Sequence, residues 1–207
     1  DRILFQSVSR AVITDTRGTL AEQLDHRGPR EPRPPRFHPR STHRPEVAAA
    51  ALPTQQLILF NGIGGFARDG REYVIALARD QVTPAPWVNV LANPYFGTVI
   101  SESGVAYTWS ENAHEFRLTP WHNDPVCDSG GEALYLRDER SGHFWSPTPL
   151  PTRAAAPYRS RHGFGYSVFE TRSDGIVSEL TVFVAIDASV KFSVLKLRNE
   201  SGRPRRL

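Results

Sequence analysis

Within eight positions this chain sets Arg117, Trp121, Asn123 and Asp124, and Trp87 and Asn112 precede them at a distance. These side chains suit a sugar: a pyranose stacks its apolar face on an aromatic ring and offers its hydroxyls to planar polar groups. The planar fork of Arg117 can hold two oxygens of a sugar or phosphate; equally, it can pair with Glu115 or Asp124 and order its own loop. Trp87 and Trp121 follow prolines in expected loops, where binding groups concentrate. Trp109 on a strand and Trp145 beside one are expected to be buried. Asp124, Asp128 and Glu132 share one polar loop, and glycoside chemistry runs on carboxylate pairs. Spacing along the chain does not set the distance between them.

Other chemistries find less support. Phe60-Asn-Gly-Ile-Gly-Gly-Phe66 is glycine-rich, but it lacks the Lys-Ser/Thr of a phosphate loop and no helical pattern follows. It reads as a tight turn into a strand. His122 and His162 have no second His or Cys at ligand spacing, so no metal site is expected and both read as hydrogen-bonding histidines. Ser101, His122 and Asp124 form a triad only on paper, without a nucleophile elbow. Cys127 is the one cysteine, which excludes an internal disulfide, and no activating motif surrounds it.

The elements that must position these residues fall into three stretches of the 207-residue chain. Residues 1–25 read as helix, from Ile3, Leu4, Val8, Ala11 and Val12 and then Leu20 and Leu24 at helical spacing. Thr19 with Glu22 makes a capping box, so two shorter helices also fit. Residues 26–56 form an arginine- and proline-rich linker that favours extended polyproline conformation. That linker holds six arginines against Glu31 and Glu46, whereas residues 57–207 hold sixteen basic and sixteen acidic residues. The basic character therefore lies outside the expected domain, and no nucleic-acid partner is expected.

From residue 57 onward short alternating segments follow one another, separated by Asp69-Gly70, Glu102-Ser-Gly104, Asp138-Glu-Arg-Ser-Gly142 and Ser173-Asp-Gly175. Apolar alternation with turn signals and no intervening helix predicts a mainly β, antiparallel sandwich. No stretch approaches the roughly 18–20 apolar residues needed to span a bilayer. The opening Asp1-Arg-Ile-Leu-Phe-Gln does not read as a signal peptide. Without an initiator Met, and ending at Arg203-Pro-Arg-Arg-Leu207, the chain reads as a piece of something longer. A sandwich cut short at Leu207 would leave a bare sheet edge, with strand swapping or aggregation as the expected consequence.

The motifs in their order carry a resemblance. They are Phe60-Asn-Gly-Ile-Gly-Gly-Phe, Asp69-Gly-Arg-Glu-Tyr-Val-Ile, Thr83-Pro-Ala-Pro-Trp-Val-Asn-Val, Asn93-Pro-Tyr-Phe-Gly, Arg117-Leu-Thr-Pro-Trp-His-Asn-Asp-Pro, Glu132-Ala-Leu-Tyr-Leu-Arg-Asp-Glu and Trp145-Ser-Pro-Thr-Pro-Leu-Pro. Residues 57–207 resemble the N-terminal β-sandwich of glycoside hydrolase family 94, formerly glycosyltransferase family 36, as found in bacterial cyclic β-1,2-glucan synthases. The preceding helix and linker resemble the stretch before that domain. The resemblance implies a galactose mutarotase-like antiparallel β-supersandwich. It also implies an inverting phosphorylase in the whole enzyme, with inorganic phosphate as attacking group and an aspartic acid on a downstream (α/α)6 barrel. This chain ends before such a barrel, so no catalysis and no cofactor of its own are implied. The implied partners are a β-glucan oligosaccharide, the barrel of the same polypeptide and a second copy at a dimer contact. The implied location is the cytoplasmic side of a bacterial inner membrane, within a larger membrane protein. Two roles follow: an accessory wall of a glucan cleft, built on Trp121, Arg117, Asn123, Asp124, Trp87 and Asn112, or a purely structural and dimerising sandwich. The family pattern departs at Glu111-Asn-Ala-His114, so no role is carried to His114.

Overall fold

A computed structural model describes residues 13–16, 18–24 and 56–207. The chain divides into two units, residues 1–40 and 41–207. In the first, helix α1 (Leu20–Leu24) starts at the reciprocal cap foreseen from Thr19 and Glu22. The Thr19 amide donates to Glu22 Oε2 at 2.7 Å, and the Glu22 amide donates to Thr19 Oγ1 at 3.3 Å. The rest of the expected helix and nearly all of the expected linker lie outside the described residues.

Among the described residues of the second unit, eleven antiparallel strands make three sheets. They are β1 (Gly64–Phe66), β2 (Glu72–Leu77), β3 (Val88–Ala92), β4 (Phe96–Ser101), β5 (Ala106–Ser110), β6 (Leu136–Arg137), β7 (Phe144–Trp145), β8 (Tyr158–Gly163), β9 (Tyr166–Ser173), β10 (Ile176–Val184) and β11 (Lys191–Asn199). The large sheet has the order β1-β2-β8-β9-β10-β11, the second has β3-β4-β5, and β6-β7 form a hairpin. The β9–β10 hairpin closes on Asp174 and Gly175, both at positive φ (51° and 73°), as the two central residues of a tight hairpin turn require.

Alternation along each strand sends one set of side chains inward. Leu91, Ile100 and Ala106 from the small sheet meet Phe169, Leu180 and Val182 from β9 and β10 in one core. Leu136, Trp145, Ala154, Ala156, Tyr158 and Ile176 form a second core under the β6–β7 hairpin. Leu195 on β11 packs against both, so the small sheet and the hairpin lie side by side over the large sheet.

Three elements differ from the reading of the sequence. Residues 64–66 form a short edge strand rather than only a turn. Val88–Ala92 and Tyr158–Gly163 are strands that alternation missed, because their inward positions include the polar Asn89, Ser160 and His162. Those polar groups are satisfied: Asn89 Nδ2 donates to the carbonyls of Gly163 and Tyr166 at 2.9 and 3.0 Å, and Ser160 Oγ donates to the Glu102 carbonyl at 2.7 Å. A polar side chain with fixed partners can sit in a sandwich interior at little cost.

Candidate functional site

The register places two faces back to back on the small sheet. Leu91, Ile100 and Ala106 look into the core, while Val90, Val99 and Tyr107 align across the three strands on the opposite face, as do Ala92, Gly97 and Trp109. Gly97 is required there: a Cβ at that position would come within 2.3 Å of the Trp109 ring, which lies across it. Beyond β5 the chain returns alongside it, with Leu118 N–H donating to the Thr108 carbonyl at 2.8 Å and Arg117 bridged to Trp109.

This return builds an aromatic stack. The Trp121 ring stacks on Tyr107 with centroids 5.1 Å apart and planes 21° apart, and Trp109 flanks Tyr107 at 5.6 Å. The Arg117 guanidinium lies 5.3 Å from the Trp121 ring centre and 6.0 Å from that of Tyr107. Tyr107 is thereby covered, while Trp121 keeps 41% of its surface exposed. Arg117 donates through Nε to the Ala113 carbonyl at 3.1 Å. Its contacts are therefore the rings and this carbonyl, not the carboxylates of Glu115 or Asp124. Glu115 meets His114 instead.

The other sequence-nominated residues divide. Asn112 accepts the amides of His114 and Glu115 at 2.8 and 3.0 Å, shaping the turn that seats Arg117. Asp124 accepts the amides of Val126 and Cys127 at 3.0 and 3.1 Å, and these donors hold its carboxyl below the usual carboxylate range. Asn123, exposed and at φ 49°, lies in the same loop as Trp121 and Asp124. Trp87 sits elsewhere, half-buried against Tyr73 at 5.8 Å. Trp145 is fully buried, as expected, whereas Trp109 is only partly covered by the Gly97 platform rather than sealed in the core.

The three loop carboxylates also separate by partner. Asp128 accepts from the Ser101 hydroxyl at 2.6 Å. Glu132 takes Lys191 Nζ, the Thr108 hydroxyl at 2.5 Å and the Thr119 hydroxyl at 2.9 Å. Burial pushes the Glu132 carboxyl up, but Lys191 and the hydroxyls outweigh it and hold it below the usual range. Its contribution is then present above the ordinary carboxylate pKa and is lost as pH falls through the lowered one. Lys191 and Glu132 are 15% and 25% exposed, between the buried and surface cases. Accordingly, Lys191→Met should lower stability at neutral pH by about 1–3 kcal/mol, a loss that fades in acid. Denaturant titrations at several pH values check this, and a pH-independent loss would remove the charge as its cause.

Sequence reasoning missed Tyr107 as the centre of the stack and Lys191 as the partner of Glu132. Strand alternation could have offered Tyr107 opposite Val99; nothing local pairs positions 132 and 191.

Comparison with known proteins adds the following. Residues 71–207 match the family model described as "Glycosyl hydrolase 94, supersandwich domain". The chain is 35% identical to a cyclic beta-(1,2)-glucan synthase of Rhizobium meliloti (strain 1021), over 97% of this chain and 7% of that protein. It is 37% identical to an N,N'-diacetylchitobiose phosphorylase of Vibrio furnissii, over 69% of this chain and 18% of that protein. It is 34% identical to a 3-O-beta-D-glucopyranosyl-beta-D-glucuronide phosphorylase of Paenibacillus borealis, over 70% of this chain and 17% of that protein. The chain thus spans only a small part of the length of each relative.

Proposed function

Because the chain belongs to glycosyl hydrolase family 94, with its supersandwich domain at residues 71–207, we propose that the aromatic face of its small sheet is one wall of a carbohydrate cleft. The observation that carries this reading is the partly exposed Trp121 ring, held flat on Tyr107 with Arg117 over it. A ring fixed on one side and open on the other offers a sugar an apolar face without further ordering. The Arg117 guanidinium beside it offers several donors to hydroxyls at the rim. Asn123 and Asp124 extend that rim, and Trp87 forms a separate aromatic station.

In this reading the chain is an accessory domain without catalysis of its own. A downstream (α/α)6 barrel of the same polypeptide performs the phosphorolysis, with inorganic phosphate as its co-substrate, and the whole enzyme trims β-glucan chains. The ligand class follows the glucan named for the Rhizobium relative. The parent is placed on the cytoplasmic side of a bacterial inner membrane; among the described residues no helix is long and apolar enough to cross one.

Isothermal calorimetry with short linear β-1,2-gluco-oligosaccharides tests the reading. Trp121→Ala should weaken binding about tenfold, the loss of one stacking surface. An affinity unaltered by Trp121→Ala would take this ring out of the site. A second reading rests on Val88 and Val90, 55% and 59% exposed on β3. Apolar side chains beside the aromatic row also suit a second copy of the chain. Concentration-dependent sedimentation with no sugar response would favour that alternative.

A further inference from the structure

One hairpin turn holds both of the loops that carry Trp87 and Trp121. Its strands are β4 and β5, closed by the Gly104 amide donating to the Ser101 carbonyl at 2.9 Å. From the first position of the turn, the Ser101 hydroxyl donates to Asp128 at 2.6 Å. Asp128 lies in the loop that Trp121 opens and that a Trp121–Gly130 bridge closes. From the next position, the fully buried Glu102 carboxylate takes the Thr83 hydroxyl and the Trp87 amide, the latter at 2.7 Å. The Glu102 amide returns a bond to the Trp87 carbonyl at 3.0 Å.

We propose that Asp128, held by Ser101, and Glu102 are positioning residues, which anchor the loops presenting Trp121 and Trp87 to adjacent positions of the β4–β5 turn. Neither carboxylate is among the groups offered to a ligand: each is turned towards its own tether. The two tethers are independent in partner but share a rigid base, since the Glu102 carbonyl is itself held by Ser160 of β8. A loop pinned in this way presents its ring without an ordering cost at the moment of binding. The ligand side of the proposal rests on the carbohydrate reading above; the positioning side stands on these hydrogen bonds.

The test uses the indole N–H resonances of the 15N-labelled chain, assigned by Trp121→Phe and Trp87→Phe, beside calorimetry with the same β-1,2-gluco-oligosaccharide. Asp128→Ala should move the Trp121 resonance, leave that of Trp87 in place and weaken binding about tenfold, the effect of losing one hydrogen bond to a charged group. Asp128→Asn keeps an acceptor for the Ser101 hydroxyl and should restore the resonance and most of the affinity. Ser101→Ala, which cuts the same tether from a small buried residue, should reproduce Asp128→Ala, and Glu102→Gln should move the Trp87 resonance alone. If Asp128→Ala and Ser101→Ala both leave the Trp121 resonance unmoved, the inference is overturned whatever the affinities do. If instead these variants move the resonance while Trp121→Ala binds like the unaltered chain, positioning stands and the carbohydrate reading fails.

Discussion

Phe169→Ala should remove about 3–5 kcal/mol of stability, the range for truncating a fully buried aromatic ring. Phe169 is fully buried on β9 and joins Leu91, Ile100 and Ala106 of the small sheet to Leu180 and Val182 of the large one. Truncation removes the transfer free energy of the ring and leaves a void that two strand-bound layers cannot close by local collapse. Domains of this kind are stable by only about 5–15 kcal/mol, so the variant stands near its unfolding threshold. Urea denaturation followed by fluorescence measures the loss. A value below about 1 kcal/mol would show that the two sheets do not depend on this contact. The small sheet that Phe169 supports carries the aromatic stack on its other face, so Phe169→Ala should also weaken any sugar binding through the backbone. Trp121→Ala, on an exposed ring, should affect binding with far less effect on stability.

The second large effect is an acid limb. His162 Nε2 lies 3.1 Å from the Trp87 carbonyl, an acceptor only, so Nε2 carries the proton. Nδ1 must then accept from the Ser167 hydroxyl at 2.9 Å, while the Ser167 oxygen takes Asn89 Nδ2 at 3.2 Å. The neutral ring satisfies every partner. Burial pushes its pKa down to about 4 from the usual 6.5, offset only in part by the bond to Trp87. The unfolded chain therefore binds the proton first as pH falls. The stability conferred by the neutral ring is complete above about 6.5 and is lost towards about 4, a loss of up to about 3 kcal/mol. Burial of Glu102 and Asp128 acts with the opposite sign: their raised carboxyls stabilise the fold on the acid side and lose that contribution as pH rises. Subtracting the profile of His162→Gln isolates the histidine. Superimposable profiles of the two chains between pH 6.5 and 4 would mean that the ring does not stay neutral in the fold.

Much of this fold could be read along the chain because its signals are local. Asp174-Gly175 needs only its own backbone to close the β9–β10 hairpin, and Thr19 with Glu22 needs only one turn to cap α1. Alternation found β2, β4, β10 and β11 for the same reason. It failed at β8, whose inward side chains are Tyr158, Ser160 and His162: periodicity counts apolar residues, whereas this strand buries polar groups whose partners lie on the β4–β5 turn, β9 and the loop before β3. The carboxylates show the same division. Sequence placed Asp124, Asp128 and Glu132 in one loop but offered no means of assigning them to a turn, a tether and an ion pair.

What the sequence alone determined, then, is the antiparallel sandwich, the family and the loop that holds Arg117 and Trp121. Turn chemistry, alternation and ordered motifs depend on residues a few positions apart. Tertiary structure decided that Tyr107 underlies Trp121, that Trp87 stands apart from them and that Lys191 answers Glu132. Those relations join residues from 14 to 59 positions apart, and their distances arise only when two sheets bury their shared apolar faces and bring the strands together.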